Sequence, residues 1–344
     1  MANRSEKKFA WDICGHERIA AFLQSAIASN KLSHAYLFIG PAGVGKYALA
    51  RQFIKSIFCL RGDQLSPCGQ CSNCLQLERG THPDVYLVKR QIDDDTGKWK
   101  KDIIINQIRE LKQKLQQTTL LSGYKAALIP EAQLVNYNAY SSLLKILEEP
   151  TAKTIIILSS DDPEKIPATI VSRCQIINFL PVAGEILENY LNQLGAPEEK
   201  IRLLSRLAHG LPGRAINLLK DEELLEQLQF NLKLFLDIVK DNPNHRLNRL
   251  EEIISWEKDE AQNAAKISRL FDDWQAALRD LLLLSQGEEH YAANIIYLKS
   301  FLELKEKFDW RRIKLGAALL RQAKESLRQN INSKFVLENL IINL

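Results

Sequence analysis

At 344 residues the chain is long enough for two or three domains of about 150 residues, each with its own core. Hydrophobic residues at 46% and charged residues at 26% sit at globular averages, which excludes a disordered tail, a collagen-like rod, a coiled coil and a disulfide-stapled peptide. The 46 Lys+Arg against 42 Asp+Glu leave +4, an excess that permits contact with a polyanion without demonstrating one.

The stretch Met1 to Lys8 is polar and lacks the apolar core of a signal peptide, and no apolar run approaches the roughly 18 residues that span a bilayer. No membrane association and a cytoplasmic location are therefore expected. In that reducing setting the six cysteines read as metal ligands or buried thiols rather than disulfides.

Short apolar runs predict strands at 35–39, 85–88, 125–129, 154–158 and 175–179, each separated by enough chain for a helical crossover. That pattern is an α/β domain with a parallel sheet. Past Pro181 the β signal stops, and the rest reads as helices broken near Gly195-Ala196-Pro197, Gly210-Leu211-Pro212-Gly213, Asp241-Asn242-Pro243-Asn244 and Gly287. In the last third, Ile313, Ala317, Leu320, Ala323 and Leu327 recur at helical spacing and predict one buried face.

After the first strand comes Gly40-Pro41-Ala42-Gly43-Val44-Gly45-Lys46, followed by a helix-compatible run. Glycines let backbone N–H groups close around phosphates, the helix N-terminus adds partial positive charge, and Lys46 can reach the β and γ phosphates. The next position of a hydrolysing site is Ser or Thr, whose hydroxyl ligates Mg²⁺; here it is Tyr47, with its hydroxyl at the end of a long ring. The second acidic element departs too. The strand 125–129 runs into Pro130-Glu131, with proline in place of the metal-binding Asp and a lone Glu that more often caps or faces solvent. ATP or ADP binding without hydrolysis is the expectation.

Cys59, Cys68, Cys71 and Cys74 follow a C-x8-C-x2-C-x2-C spacing, with Gly62, Ser66, Pro67 and Gly69 supplying turns. Four thiolates satisfy tetrahedral Zn²⁺ and leave no open position, so the ion would be structural. Two disulfides, free thiols or an iron–sulfur cluster use the same residues. Cys14 and Cys174 stand alone and read as buried thiols.

These residues, taken in order, resemble the delta-prime subunits of the bacterial DNA polymerase III clamp loader, AAA+ proteins close to gamma/tau. The resemblance runs through His34 to Phe38 and the phosphate loop, the cysteine insert and Thr81-His82-Pro83-Asp84. It continues through Leu143-Leu144-Lys145-Ile146-Leu147-Glu148-Glu149-Pro150, Ser172-Arg173-Cys174, Gly210 to Arg214, and the tail from Asn330. It implies an AAA+ domain at 1–180 with the zinc module at about 57–78, a helical lid at 181–221, and an all-α collar at 222–344 that joins a ring. Tyr47 and Pro130 separate the chain from the gamma/tau ATPase, which needs both missing ligands and is the alternative reading.

The resemblance also implies roles. Arg173, otherwise a surface ion pair, would point an arginine finger at the ATP of a neighbouring gamma/tau subunit. Gly40, Gly43, Gly45 and Lys46 would form a degenerate nucleotide site, which Arg214 either touches or flanks through a lid-to-core ion pair. Ser159 and Ser160 fall where the first sensor lies. Arg109 and Lys145 would contact DNA backbone phosphates, against the plain alternative of solvated helix charge shared with Lys112 and Lys114. The run Lys98-Trp99-Lys100-Lys101 after Asp93-Asp94-Asp95 reads as a hairpin tip rather than a single-strand contact. Implied partners are gamma/tau and delta subunits, the sliding clamp indirectly, and primed DNA through the assembled ring.

Overall fold

The computed structural model of the chain describes residues 11–61, 66–93, 97, 99–121, 123–242, 245–247, 256–257, 259–305, 308–329 and 331–344. Gly62, Asp94, Asp95, Lys98, Pro243, Asn244 and Asn330 lie outside them. The chain divides into two compact units, one reaching Tyr190 and including Gly210–Arg214, the other made of Leu191–His209 and Ala215–Leu344. Residues 181–221 are thus distributed over both.

In the first unit, five parallel strands stand in the order β2-β3-β4-β1-β5, with β1 Ala35–Ile39, β2 Val85–Leu87, β3 Lys125–Ile129, β4 Thr154–Ser160 and β5 Gln175–Asn178. All five lie where the apolar runs predicted them. β3 and β4 are buried at every residue, the condition of a parallel sheet covered on both faces. Alternate residues point to opposite faces and feed two cores. Leu37, Ala127, Ile129, Ile156 and Leu158 pack with Ile108 and Leu111 of α4 (Ile105–Gln116) and Leu143 and Leu147 of α5 (Tyr137–Glu148). Tyr36, Phe38, Leu128 and Ile157 pack with Leu23 of α1 (Glu17–Ala28) and Phe53 of α2 (Lys46–Phe58). Helix α3 (Ser72–Arg79) adds Leu77 to this second core.

β4 runs past the predicted Leu158 to Ser160, because Ser160 pairs with Ile39 and the Ser159 hydroxyl donates to the Pro130 carbonyl at 2.7 Å. Polar side chains remain in strand where hydrogen bonds satisfy them. Between β2 and α4, Ile92 and Trp99 form an antiparallel bridge, and half-exposed Trp99 has the Lys89 ammonium 5.5 Å from its ring centroid.

α6 (Ala168–Val171) precedes β5, and α7 (Gly184–Gln193), α8 (Glu198–Leu207) and α9 (Pro212–Lys220) follow, separated at the Gly195 and Gly210 breaks. The second unit is helical beyond them, with α10 (Glu222–Lys240), α11 (Glu260–Ser285), α12 (Leu298–Lys305), α13 (Trp310–Arg328) and α14 (Ser333–Asn343). Its centre is Trp274, fully buried between Phe235 and Phe271, with its indole N–H donating to the Asn231 carbonyl at 3.0 Å. The predicted stripe on α13 needs one correction: Ile313, Leu320, Ala323 and Leu327 are buried, but Ala317 is exposed and Gly316 takes its place. A Cβ on Gly316 would lie 3.2 Å from Leu278, so glycine lets α13 approach α11 closely. Among the described residues no helix is long and apolar enough to cross a membrane.

Candidate functional site

The loop between β1 and α2 has the backbone of a phosphate cradle. Gly43 and Gly45 sit at φ 77° and 110°, where a side chain is strained, and Gly45 caps α2. Gly40 is there for space, since a Cβ would meet the Phe179 carbonyl at 2.6 Å. Lys46 is buried, and its ammonium donates to the carbonyls of Gly40 (2.5 Å) and Pro41 (2.9 Å). Burial pushes its pKa below the usual lysine range, and the nearby Asp161 carboxylate opposes that.

Two further groups brace this loop. His16 Nε2 lies 2.9 Å from the Val44 carbonyl, and the Gly213 N–H donates to the Gly43 carbonyl at 2.8 Å. A Cβ on Gly213 would fall 2.9 Å from that same carbonyl, so residues 210–214 lie directly on the loop and bring Arg214's backbone beside Gly43. His16 and Asp161 were not identified from sequence, and Gly213 only as part of a helix break and of the Gly210 to Arg214 stretch: each acts through a long-range contact that no local pattern records.

At the positions where a hydrolysing site carries its metal ligands, Tyr47 and Pro130 offer none. The Tyr47 ring is 41% exposed and lies beside the Arg51 guanidinium, 5.9 Å from its centroid. Glu131 is engaged by Arg90 through two contacts, Nε to Oε2 at 3.4 Å and Nη2 to Oε1 at 3.3 Å. Pro130 contributes only its carbonyl, which takes the Ser159 hydroxyl, and Ser160 Oγ accepts from the Asp162 N–H at 3.1 Å.

The four cysteines of the insert converge, with all four sulfurs within 4.8 Å of one another and Cys68 Sγ 4.0 Å from Cys74 Sγ. Ligands 2.3 Å from a tetrahedral zinc stand about 3.8 Å apart, so the donor set fits that ion. The loop is shaped for it: the backbone N–H groups of Cys68, Cys71 and Cys74 point at the sulfurs of Cys59, Cys68 and Cys71 respectively. Hydrogen bonds from the Gln70 and Cys71 backbones draw Cys68 down to about 6, towards thiolate, while burial raises Cys59 and pushes Cys74 up to about 12. Cys14 is buried and Cys174 half-buried, and burial pushes both thiols up to about 11.

Arg173 follows α6 at the surface, its guanidinium 2.6 Å from Glu148 Oε1 and donating to the Thr169 carbonyl at 3.0 Å. Glu148 closes α5, inside the Leu-Leu-Lys stretch, so the pair joins two motifs recognised separately in the sequence. β5 runs parallel to β1 with Gln175 opposite Tyr36, and Arg173 lies in the turn just before it, its N–H donating to the Ile170 carbonyl at 3.1 Å. At about 3.3 Å per residue, the four residues from Tyr36 to Gly40 put the start of β5, which Arg173 precedes, about 13 Å along the sheet from the phosphate loop, at the opposite end of the strands. Arg109 and Lys145 are exposed on α4 and α5, which pack side by side, and neither has a carboxylate partner among the described residues.

The family model described as "DNA polymerase III, delta subunit" matches residues 15–183. The DNA polymerase III subunit delta' of Bacillus subtilis is 29% identical over 331 residues, covering 95% of this chain and 95% of the relative. The subunit delta' of Pseudomonas aeruginosa is 38% identical over 182 residues, 52% of this chain and 54% of the relative. The subunit tau of Bacillus subtilis is 27% identical over 358 residues, 97% of this chain but 61% of the relative.

Proposed function

The chain belongs to the delta-prime, gamma and tau family of DNA polymerase III clamp-loader subunits, and from that premise we propose that it is the delta-prime type: a ring subunit that does not hydrolyse ATP and acts on its neighbour's. The observation that carries this reading is the place of Arg173, just before the start of β5 and so at the opposite end of the strands from the chain's own phosphate loop. An arginine so placed serves a nucleotide only if another subunit holds it. Glu148 keeps the guanidinium in one orientation until a γ-phosphate takes over the charge pairing.

The loss of catalysis at the chain's own loop has a local basis. Tyr47 and Pro130 supply no metal ligand, and Glu131 is engaged by Arg90 rather than left to activate water. Gly40, Gly43, Gly45 and Lys46, with Arg214 alongside, retain the means to hold ATP or ADP phosphates. Cys59, Cys68, Cys71 and Cys74 hold one Zn²⁺, which supplies no chemistry and staples the insert.

In this reading residues 1–180 form the AAA+ domain, 181–221 the lid and 222–344 the collar that joins gamma/tau and delta subunits. The assembled ring meets primed DNA, with Arg109 and Lys145 on its backbone phosphates, and loads the sliding clamp during replication. The competing reading is a gamma/tau-type ATPase, favoured by the intact glycines and Lys46. Purified chain mixed with gamma/tau and delta subunits separates the two. Co-elution as one complex, with no ATP turnover by the chain alone, supports the delta-prime type; DNA-stimulated turnover by the chain alone overturns it.

A further inference from the structure

β2 is an outer strand of the sheet, paired with β3 on one side only, and the proposed role leaves its other edge unused. Successive strand residues turn their backbone groups to opposite edges. The Ala126 N–H donates to the Asp84 carbonyl and the Val88 N–H to the Leu128 carbonyl, so Asp84, Tyr86 and Val88 serve β3 while Val85 and Leu87 face outward. There the Val85 N–H is taken by the His82 carbonyl at 3.2 Å, and the Lys89 carbonyl just beyond takes the Gln107 side-chain amide at 2.8 Å. The N–H and carbonyl of Leu87 meet no partner among the described residues.

A groove of about 830 Å³ runs along this edge, lined by every residue from Val85 to Ile92 and walled by Gln107, Glu110 and Lys114 of α4. An extended peptide enters such a site as one more strand, its main chain supplying affinity and its flanking side chains selectivity. The half-exposed Leu87 and Ile92 side chains offer apolar contact. The charge is cationic: Lys89, Arg90, Lys100 and Lys114 stand against Glu110, the one acid among the described lining residues. Arg90 is held by Glu131 and Lys100 lies 4.0 Å from Asp93, but exposed Lys89 and Lys114 have no carboxylate partner among the described residues. Their ammonium groups lie over the Trp99 and Tyr86 rings, 5.5 and 5.9 Å from the centroids, which keeps both charges at the groove.

We propose that the groove between β2 and α4 is a docking site for an extended acidic segment of a partner protein, which pairs with Leu87 as a further strand and sets its carboxylates on Lys89 and Lys114. Two copies of this chain pairing through β2 would bring both sets of lysines to one seam, so the edge resists self-association. A nucleic-acid strand has no alternating N–H and carbonyl groups to meet Leu87, and the ring faces on which its bases would stack carry the lysines.

The test uses the full chain and short capped peptides, titrated at low salt and followed by the nitrogen-15 amide resonance and hydrogen exchange of Leu87. One peptide alternates Glu with Val; the controls carry Lys in place of Glu, or N-methyl groups on every valine or on every glutamate, and oligothymidylate is the nucleic-acid probe. The Glu peptide should bind saturably, protect the Leu87 amide and bind about two- to thirtyfold tighter than the Lys peptide, the range of two cross-strand charge pairs. N-methylation should abolish binding in one frame and leave it in the other, because only one edge of the peptide meets β2. In the double variant Lys89→Glu, Lys114→Glu the preference should invert to the Lys peptide; both residues are exposed, and the wild-type comparison stands even if that variant folds poorly. Equal binding of the Glu and Lys peptides, equal effects of the two methylations, or tighter binding of oligothymidylate at Leu87 overturns the proposal. So does a dimer that protects Leu87 without peptide, which makes the edge a self-contact, and so does no saturable binding, which leaves the lysines as guards against edge pairing.

Discussion

Removing the proposed Zn²⁺ from the cysteine insert should unfold the insert and spare the sheet. Cys59 and Cys74 stand fifteen residues apart, and their sulfurs lie with those of Cys68 and Cys71 inside a 4.8 Å cluster. Cross-linking a loop of that length is worth about 3 kcal/mol in chain entropy, a fair scale for what one ion supplies by tying its ends. Beyond the ion, Glu78 of α3 pairs with Arg51 and Lys55 of α2. Asn73 donates to the Phe58 carbonyl at 3.0 Å, and Leu77 is the main contribution of α3 to a core otherwise built from α1, α2 and the strands. Chelation or Cys71→Ser should therefore raise amide hydrogen exchange across residues 66–80 by about two powers of ten, since 1.4 kcal/mol is tenfold. The β1, β3 and β4 amides should keep their protection, and elemental analysis should find about one zinc per folded chain. Zinc-free protein with unchanged exchange in the insert, or loss of protection throughout the sheet, would refute this reasoning.

Three further outcomes are expected. ATP turnover by the isolated chain should match background in a phosphate-release assay and should not change in Lys46→Ala, because Tyr47 and Pro130 supply no metal ligand and Glu131 is paired with Arg90. Arg109→Ala and Lys145→Ala should each weaken DNA binding by the assembled complex alike for all sequences and lower the salt-dependence slope by about 1, measured by anisotropy across a salt series. Burial holds the His82 pKa below its ordinary 6.5, so the unfolded chain binds the proton more readily; stability should fall as pH drops through about 6.5, and urea titrations of His82→Phe should lack that component.

The sequence made the sheet legible because a parallel strand buried on both faces is an unbroken apolar run, as at Ala35–Ile39 and Thr154 onward. It made the cysteine cluster legible because ligand spacing is local. What it hid is contact at a distance. Nothing around Gly213 announces that its N–H meets Gly43, and nothing around His16 announces the Val44 carbonyl. Ala317 and Gly316 both suit a helix face, and the close approach of Leu278 decides between them. The Arg173–Glu148 pair joins two stretches that were each legible alone, and only the fold sets them 2.6 Å apart.

The most direct test of the account is hydrolysis at the neighbouring ATP site in a reconstituted complex carrying Arg173→Ala. Arginine fingers contribute about 10³ to 10⁵ in rate where they complete a site, so single-turnover hydrolysis at the one adjoining site should fall by about 10³ while steady-state turnover falls only by that site's share. Arg173→Lys should also be impaired, because the ammonium keeps the charge but loses the planar fork. Assembly and ATP binding should be unchanged, since Arg173 is an exposed side chain whose polar contacts are with Glu148, Thr169 and Ser172. Wild-type hydrolysis and clamp loading by the Arg173→Ala complex would contradict the account and leave Arg173 as no more than a surface ion pair.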